Sequence, residues 1–340
     1  MPGQNFTKNH RSDKIAGGII GFMVGDALGL PVAGIRDKEA REKVGYITEY
    51  KRYPDHPFFF YLKEGQYGSN ARLMVKTLES LLENKGYNHR DLRRRLTTVA
   101  RRSKEDFVYS RWLGQSITRA LLSGVPVVSA SATCIYRSIP IALLYSDLEK
   151  ALWISEKQSK LTHISSSSLA ASYFVTYLLH HFMQDTANID YTVQRAVENI
   201  NRKYIPNLFT ERLELIFSGK INSLQQARTI FGTGSVTNQF IPLSTYILLH
   251  AKRNFDKGVV WGANSLRHDN RDERRELAYL SYVSELLECR GGATDVVAGL
   301  VGSFIGTLVG YSHIPTKYTD GLEDHERVME ILNQLTQLRF

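Results

Sequence analysis

Ile15-Ala16-Gly17-Gly18-Ile19-Ile20-Gly21-Phe22-Met23-Val24-Gly25-Asp26-Ala27-Leu28-Gly29-Leu30 is the stretch whose reading decides the fold. It predicts an apolar helix with Gly17, Gly21, Gly25 and Gly29 at strict four-residue spacing, all on one face. Glycine costs about 1 kcal/mol per site in a helix relative to alanine, so four in one row need a reason. The reason is a smooth stripe that lets another backbone approach closely. Gly302, Gly306 and Gly310, preceded by Gly299, repeat the device near the C-terminus. Two glycine-striped helices, one near each end, form the crowded centre of a single core. That argues against two independent domains.

Working outward, most segments carry helical spacing. Helices are expected over 72–83, 92–102, 111–122, 139–145, 148–161, 169–183, 192–203, 211–218 and 224–229. After Pro242 another is expected over 243–251, then 271–289 and 324–338. Phe58–Leu62 is a strand candidate. No internal repeat appears. The fold class is all-α: one compact multi-helix domain over residues 14–340, behind a polar and flexible tail of residues 1–13.

The chain has 340 residues, 43% of them hydrophobic, which is ample for a sizeable core and excludes whole-chain disorder. With 25 Gly, 9 Pro and 2 Cys, collagen-like and disulfide-framework classes are excluded as well. Cys134 and Cys289 lie far apart and offer no zinc pattern, as suits a reducing compartment; the expected location is cytoplasmic. His10, Arg11 and Lys14 before an apolar run imitate a signal peptide, but Asp26 follows at once and the small residues are helix-spaced. The uncharged run Val296–Tyr311 falls short of the roughly 18–20 residues that span a bilayer, so no membrane span is expected.

The formal charge of +9 hints at an anionic partner. Arg93, Arg94, Arg95, Arg101 and Arg102 share one helix, yet Asp91, Glu105 and Asp106 are interspersed and no aromatics alternate with them. They read as a solvated face, so nucleic acid is a minor alternative only. The arginines of 271–275 sit among Asp269, Asp272, Glu273 and Glu276 and read as an ion-pair face.

Common catalytic signatures such as GxSxG, HExxH, a Walker loop or GxGxxG are absent. Two helix ends are more informative. Gly25-Asp26-Ala27-Leu28-Gly29-Leu30-Pro31 closes the first glycine helix, and Gly291-Gly292-Ala293-Thr294-Asp295 opens the last. Each alone reads as a helix end with a capping aspartate. With Gly65-Gln66-Tyr67-Gly68-Ser69-Asn70, Arg137-Ser138-Ile139-Pro140, Thr162-His163 and Ile314-Pro315, they form an ordered constellation over nearly the whole chain. In that order and spacing the chain resembles the ADP-ribosylglycohydrolase family, all-α hydrolases that use two magnesium ions to remove ADP-ribose from modified side chains.

The departures from the family pattern are informative too. Where the resemblance implies G-x-Y-T-D-D-T, this chain has Gly68, Ser69, Asn70 and Ala71, without either carboxylate. Where it implies G-G-D-T-D-T, Ala293 and Val296 replace the first Asp and last Thr, leaving Asp295 as a remnant ligand. Magnesium demands oxygen ligands with carboxylate charge among them. No metal or other cofactor is therefore expected; magnesium would return only if this reading of the site were wrong. The glycines implied before Arg137 are replaced by Ser129-Ala130-Ser131-Ala132-Thr133.

The expectation is a catalytically degenerate member that binds an ADP-ribose-like or other anionic, phosphate-bearing molecule, or a protein partner such as an ADP-ribosylated protein. Ser69, Asn70, Arg72, Arg137, His163 and Thr294 are its expected ligand-binding residues. The alternative is a metal-light hydrolase of ADP-ribosyl bonds. In that case Asp295 or Asp26 is the general base, and Arg72 supplies charge where a metal once sat.

Overall fold

The computed structural model describes residues 10–204, 208–266, 292–338 and 340; the arginines of 271–275, Cys289 and Gly291 lie outside the described residues. The helices are α1 (His10–Gly29), α2 (Asp37–Lys43), α3 (Ser69–Glu83), α4 (His89–Glu105), α5 (Phe107–Ser110) and α6 (Gln115–Ser123). There follow α7 (Ser138–Leu144), α8 (Leu148–Ser159), α9 (Ser166–Phe182), α10 (Ile189–Lys203), α11 (Leu208–Phe217) and α12 (Leu224–Phe231). The chain closes with α13 (Thr237–Ala251), α14 (Phe255–Ala263), α15 (Thr294–Val309), α16 (Thr316–Thr319) and α17 (His325–Leu335). Among the described residues there is no strand, only the isolated bridges Val127–His163 and Ser131–Val236. The all-α expectation holds.

The glycine stripe of α1 lies directly on α15. A Cβ at Gly17 would strike the carbonyl of Gly306, at Gly21 that of Gly302, at Gly25 that of Ala298, and at Gly29 the backbone of Thr294 and Asp295. All four contacts fall inside 3.0 Å, closer than real Cβ atoms come to such neighbours. Numbers rise along α1 as they fall along α15, so the helices are antiparallel. Every residue of α1 from Ser12 to Gly29 is buried. By length and composition α1 is apolar enough to cross a membrane, yet 94% of its most apolar window is covered by the rest of the protein. A helix that is hydrophobic all round is here a core helix.

Helices α13 and α14 pack on α15, while α7, α8, α9 and α10 complete the main core. A second apolar cluster joins α3, α4 and α6 through Leu73, Leu92, Leu96, Val99, Ile117 and Leu121.

Four sequence expectations change. The helix expected from 111 begins only at Gln115, because Arg111 and Trp112 have left-handed backbone. Residues 10–13, expected in the tail, belong to α1. Their side chains have fixed partners: Arg11 donates to Leu144 O (3.0 Å), and Asp13 accepts from Ser312 N (2.9 Å). Phe58–Leu62 turns instead of extending, because buried His56 accepts the N–H groups of Phe58 and Phe59 at Nδ1, both at 3.0 Å. Its Nε2 donates to Ala33 O (3.0 Å), and burial lowers its pKa to about 4, so the ring is neutral. Finally, α13 begins at Thr237 and carries Pro242 inside. The carbonyl of Asn238, which Pro242 has no N–H to satisfy, accepts from Arg212 of α11 at 2.7 Å.

Since backbone cannot yield to a methyl group, Gly21→Ala or Gly302→Ala is expected to cost about 3 kcal/mol or more. Gly114→Ala, whose Cβ would meet only Thr133 and Ile117 at 3.8 and 3.9 Å, serves as control. In thermal unfolding the first two should lower Tm by about 4 °C or more and the control by about 1 °C or less.

Candidate functional site

The register of the α1–α15 seam sets the end of one helix beside the start of the other. Asp26, in the last turn of α1, is fully buried. Its carboxylate reaches α3: Oδ1 accepts Gly68 N (3.2 Å) and Oδ2 accepts Ala71 N (2.8 Å). Gly68, the residue before α3, provides no side-chain cap, so Asp26 caps this helix from across the fold. Any side chain at Gly68 would crowd the carboxylate, since its Cβ would stand 3.0 Å from Oδ1.

Asp295 occupies the first turn of α15 and is partly exposed. Asn70, the second residue of α3, donates Nδ2–H to its Oδ2 at 2.9 Å. Burial raises the Asp295 pKa to about 6, opposed by the Val296 N–H and by Asn70. Asp26 goes further, to about 8: burial is the main cause and the Asp295 charge the second. Near neutral pH the pair therefore keeps a proton, mostly on Asp26.

Ser69 lines the same helix end, its N–H bonded to Arg111 O (3.3 Å) and its hydroxyl to Trp112 O (3.2 Å). Arg72 points away from the carboxylates: its guanidinium donates to Tyr109 O and lies 4.3 Å over the Tyr109 ring. Burial, and then the neighbouring Arg111, lower its pKa. The Thr294 hydroxyl is spent on Gly29 O (2.7 Å), fastening the seam.

Arg137 and His163 belong to a separate buried network. Arg137 is fully buried and donates to Gln158 Oε1 (2.8 Å), Gln158 O (3.2 Å), Thr162 Oγ1 (2.8 Å) and Thr133 O (3.2 Å). Burial lowers its pKa to about 10. His163, which burial and then Arg137 lower to about 3, is neutral and bonds Ser131 Oγ (2.8 Å) and Thr162 Oγ1 (2.8 Å). Both residues order the 129–133 loop.

Two residues escaped the sequence reading. Arg111 donates to Tyr67 O (2.6 Å) and forms a two-pronged ion pair with Glu323, which ties the segment before α3 to the C-terminal region. Tyr136 is fully buried, its hydroxyl has no hydrogen-bond partner among the described residues, and Asp295 and Asp26 both raise its pKa after burial. Adjacency to Arg137 was its only sequence signal.

These residues do not fit a dinuclear magnesium site. Both Asp26 oxygens already accept backbone N–H groups, and Gly68, Ala293 and Val296 have no side-chain oxygen. Among the described residues no group of three or more His, Cys, Asp or Glu could hold a metal ion. Asp295 and Asn70 make a hydrogen-bonding pair suited to hydroxyl groups.

The raised pair predicts a pH dependence. A carboxyl that holds its proton more tightly folded than unfolded contributes stability below its unfolded pKa, about 4, and loses it as pH rises through the folded value. His56 and His163 act oppositely, but their contribution is constant above about pH 6.5. Tm is therefore expected to fall between about pH 6.5 and 8.5. Asp295→Asn should flatten that slope by removing the neighbouring charge. A Tm independent of pH in this window would refute the assignment.

The chain matches the ADP-ribosylglycohydrolase family over residues 7–340. An uncharacterized protein of Archaeoglobus fulgidus is 23% identical over 96% of this chain and 97% of its own length. A solved structure described as an ADP-ribosylglycohydrolase-related protein complex shares the fold. Its TM-score is 0.65 at 18% identity, covering 97% of this chain and 99% of that one. The chain thus belongs to the ADP-ribosylglycohydrolase family, as a member that lacks, among its described residues, the ligand set of the dinuclear metal centre.

Proposed function

We propose that the protein binds an ADP-ribose-like ligand without magnesium-dependent hydrolysis. The carrying observation is Asp26: the carboxylate that the seam places deepest is consumed as the cap of α3. Asp295 and Asn70 remain to hold ribose hydroxyls, and the Tyr136 hydroxyl has a hydrogen bond still to make. The dipoles of α3 and α15, which start at this site with Ser69 at the head of α3, favour the anionic part of the ligand. Arg72 is held on Tyr109 and acts on this site only by fixing the start of α3 against that segment. Arg137, His163 and Thr294 support this arrangement through the backbone they fix, not by contact. The protein would act in the cytoplasm, with an ADP-ribosylated protein as the source of the ligand.

Calorimetry with ADP-ribose should show binding that EDTA does not change. Asn70→Ala and Asp295→Ala should each weaken it about tenfold, roughly 1.4 kcal/mol. Micromolar affinity for Mg²⁺ would overturn the proposal.

One observation favours a second reading. Asp295, partly exposed with a pKa near 6, has the properties of a general base. Magnesium-independent release of ADP-ribose from a modified arginine or serine peptide, with a half-point near pH 6 and lost in Asp295→Asn, would establish a hydrolase instead.

A further inference from the structure

We propose that the arginine face of α4 and the aromatic cluster at its C-terminal end form one docking surface for single-stranded nucleic acid. Two features adjoin along the chain, since α4 ends at Glu105 and α5 begins at Phe107. The first is an open groove of about 370 Å³ lined by Arg90, Arg93, Arg94, Thr97, Thr98 and Arg101, with no carboxylate among the lining residues. Among the described residues, only Arg94 of the lining arginines is engaged by a carboxylate, that of Asp91. Asp91 pairs with Arg94 and Arg95, and Arg95 also reaches Glu79 and Glu83 of α3. Arg93 is held in place by Gly124 O at 2.7 Å. The guanidinium groups of Arg90 and Arg101 have no partner among the described residues. From Arg90 to Arg101 the row spans about 16 Å, and guanidinium forks suit phosphate oxygens.

The second feature begins where the row ends. Arg102 lies 3.9 Å over the Tyr109 ring of α5. Phe107 packs on Tyr61 (5.7 Å between ring centres), Tyr61 on Phe60 (5.4 Å), and Trp112 on Phe58 (4.0 Å). Phe60, Phe107 and Trp112 nevertheless stay about half exposed, at 48%, 49% and 48%. Arg111 and Trp112 both have positive φ, 43° and 59°, a costly backbone for bulky residues. That backbone keeps an exposed indole at the edge of the cluster. Asp106 is spent capping Tyr109 N, while Glu105 stays exposed at the junction.

A phosphate backbone along arginines with unpaired bases on aromatic faces is the chemistry of single-strand binding. A duplex keeps its bases stacked and would leave the rings uncovered. An acidic peptide would satisfy the arginines alone. No aromatic interleaves with the arginines; residues 58–61 and 107–112 supply the rings beyond the end of the row instead.

Fluorescence anisotropy with a labelled twelve-nucleotide dT strand tests this, beside a hairpin duplex and a polyglutamate peptide. The dT strand should bind with a log–log salt slope of about −2 to −3, as three or four phosphate contacts imply. Combining Arg90→Ala, Arg94→Ala and Arg101→Ala should weaken binding at least tenfold and flatten the slope. Phe107→Ala should weaken it several-fold with the slope unchanged, and Phe107→Tyr should restore it. Circular dichroism would confirm that these exposed-residue variants fold. The proposal is overturned if dT does not bind at 50 mM salt or if both sets of variants bind normally. Equal affinity for the duplex or for polyglutamate would overturn it as well.

Discussion

Backbone-to-backbone contact between α1 and α15 is the constraint on which the rest of the structure depends. Gly17, Gly21, Gly25 and Gly29 leave no side chain between the helices, so their carbonyls meet the facing backbone directly. Such close approach allows Cα–H···O contacts and dense dispersion along the whole seam. It also fixes register. With Gly25 on Ala298 and Gly29 on Thr294, the carboxylates of Asp26 and Asp295 have little freedom in where they fall.

That placement has an electrostatic cost, which protonation relieves. Two carboxyls brought together under burial cannot both ionise easily, and the pKa values separate to about 6 and 8. A metal centre would resolve the same conflict with cationic charge. Here the proton on Asp26 and the amide of Asn70 do so. The site is thereby electrically modest, holding at most one free carboxylate beside two helix N-termini.

The seam was legible because four-residue glycine spacing has few other meanings in an apolar helix. The convergence of Asp26, Ser69, Asn70 and Asp295 was legible through the ordered motifs. What stayed hidden depends on distant partners. Arg111 acts through Glu323, and Asp26 through the N–H groups of Gly68 and Ala71. Pro242 sits inside a helix because Arg212 serves the freed carbonyl. Arg137 looked like a ligand contact, yet its donors are spent on Gln158, Thr133 and Thr162. A local pattern carries no information on which remote group will satisfy a buried donor or acceptor.

The altered positions explain why the fold tolerates an absent metal centre. Gly68, Ser69 and Asn70 stand at the start of α3, and Ala293 and Val296 at the start of α15. None is a glycine of the seam. Coordination bonds would tie those helix ends together; here Asp26 capping α3, Asn70 on Asp295 and Thr294 on Gly29 make the ties instead. Since the core is closed by backbone contact and not by a metal, chemistry at the helix ends can change while α1 and α15 stay in register. The helix ends can therefore lose metal-binding side chains without loss of the fold.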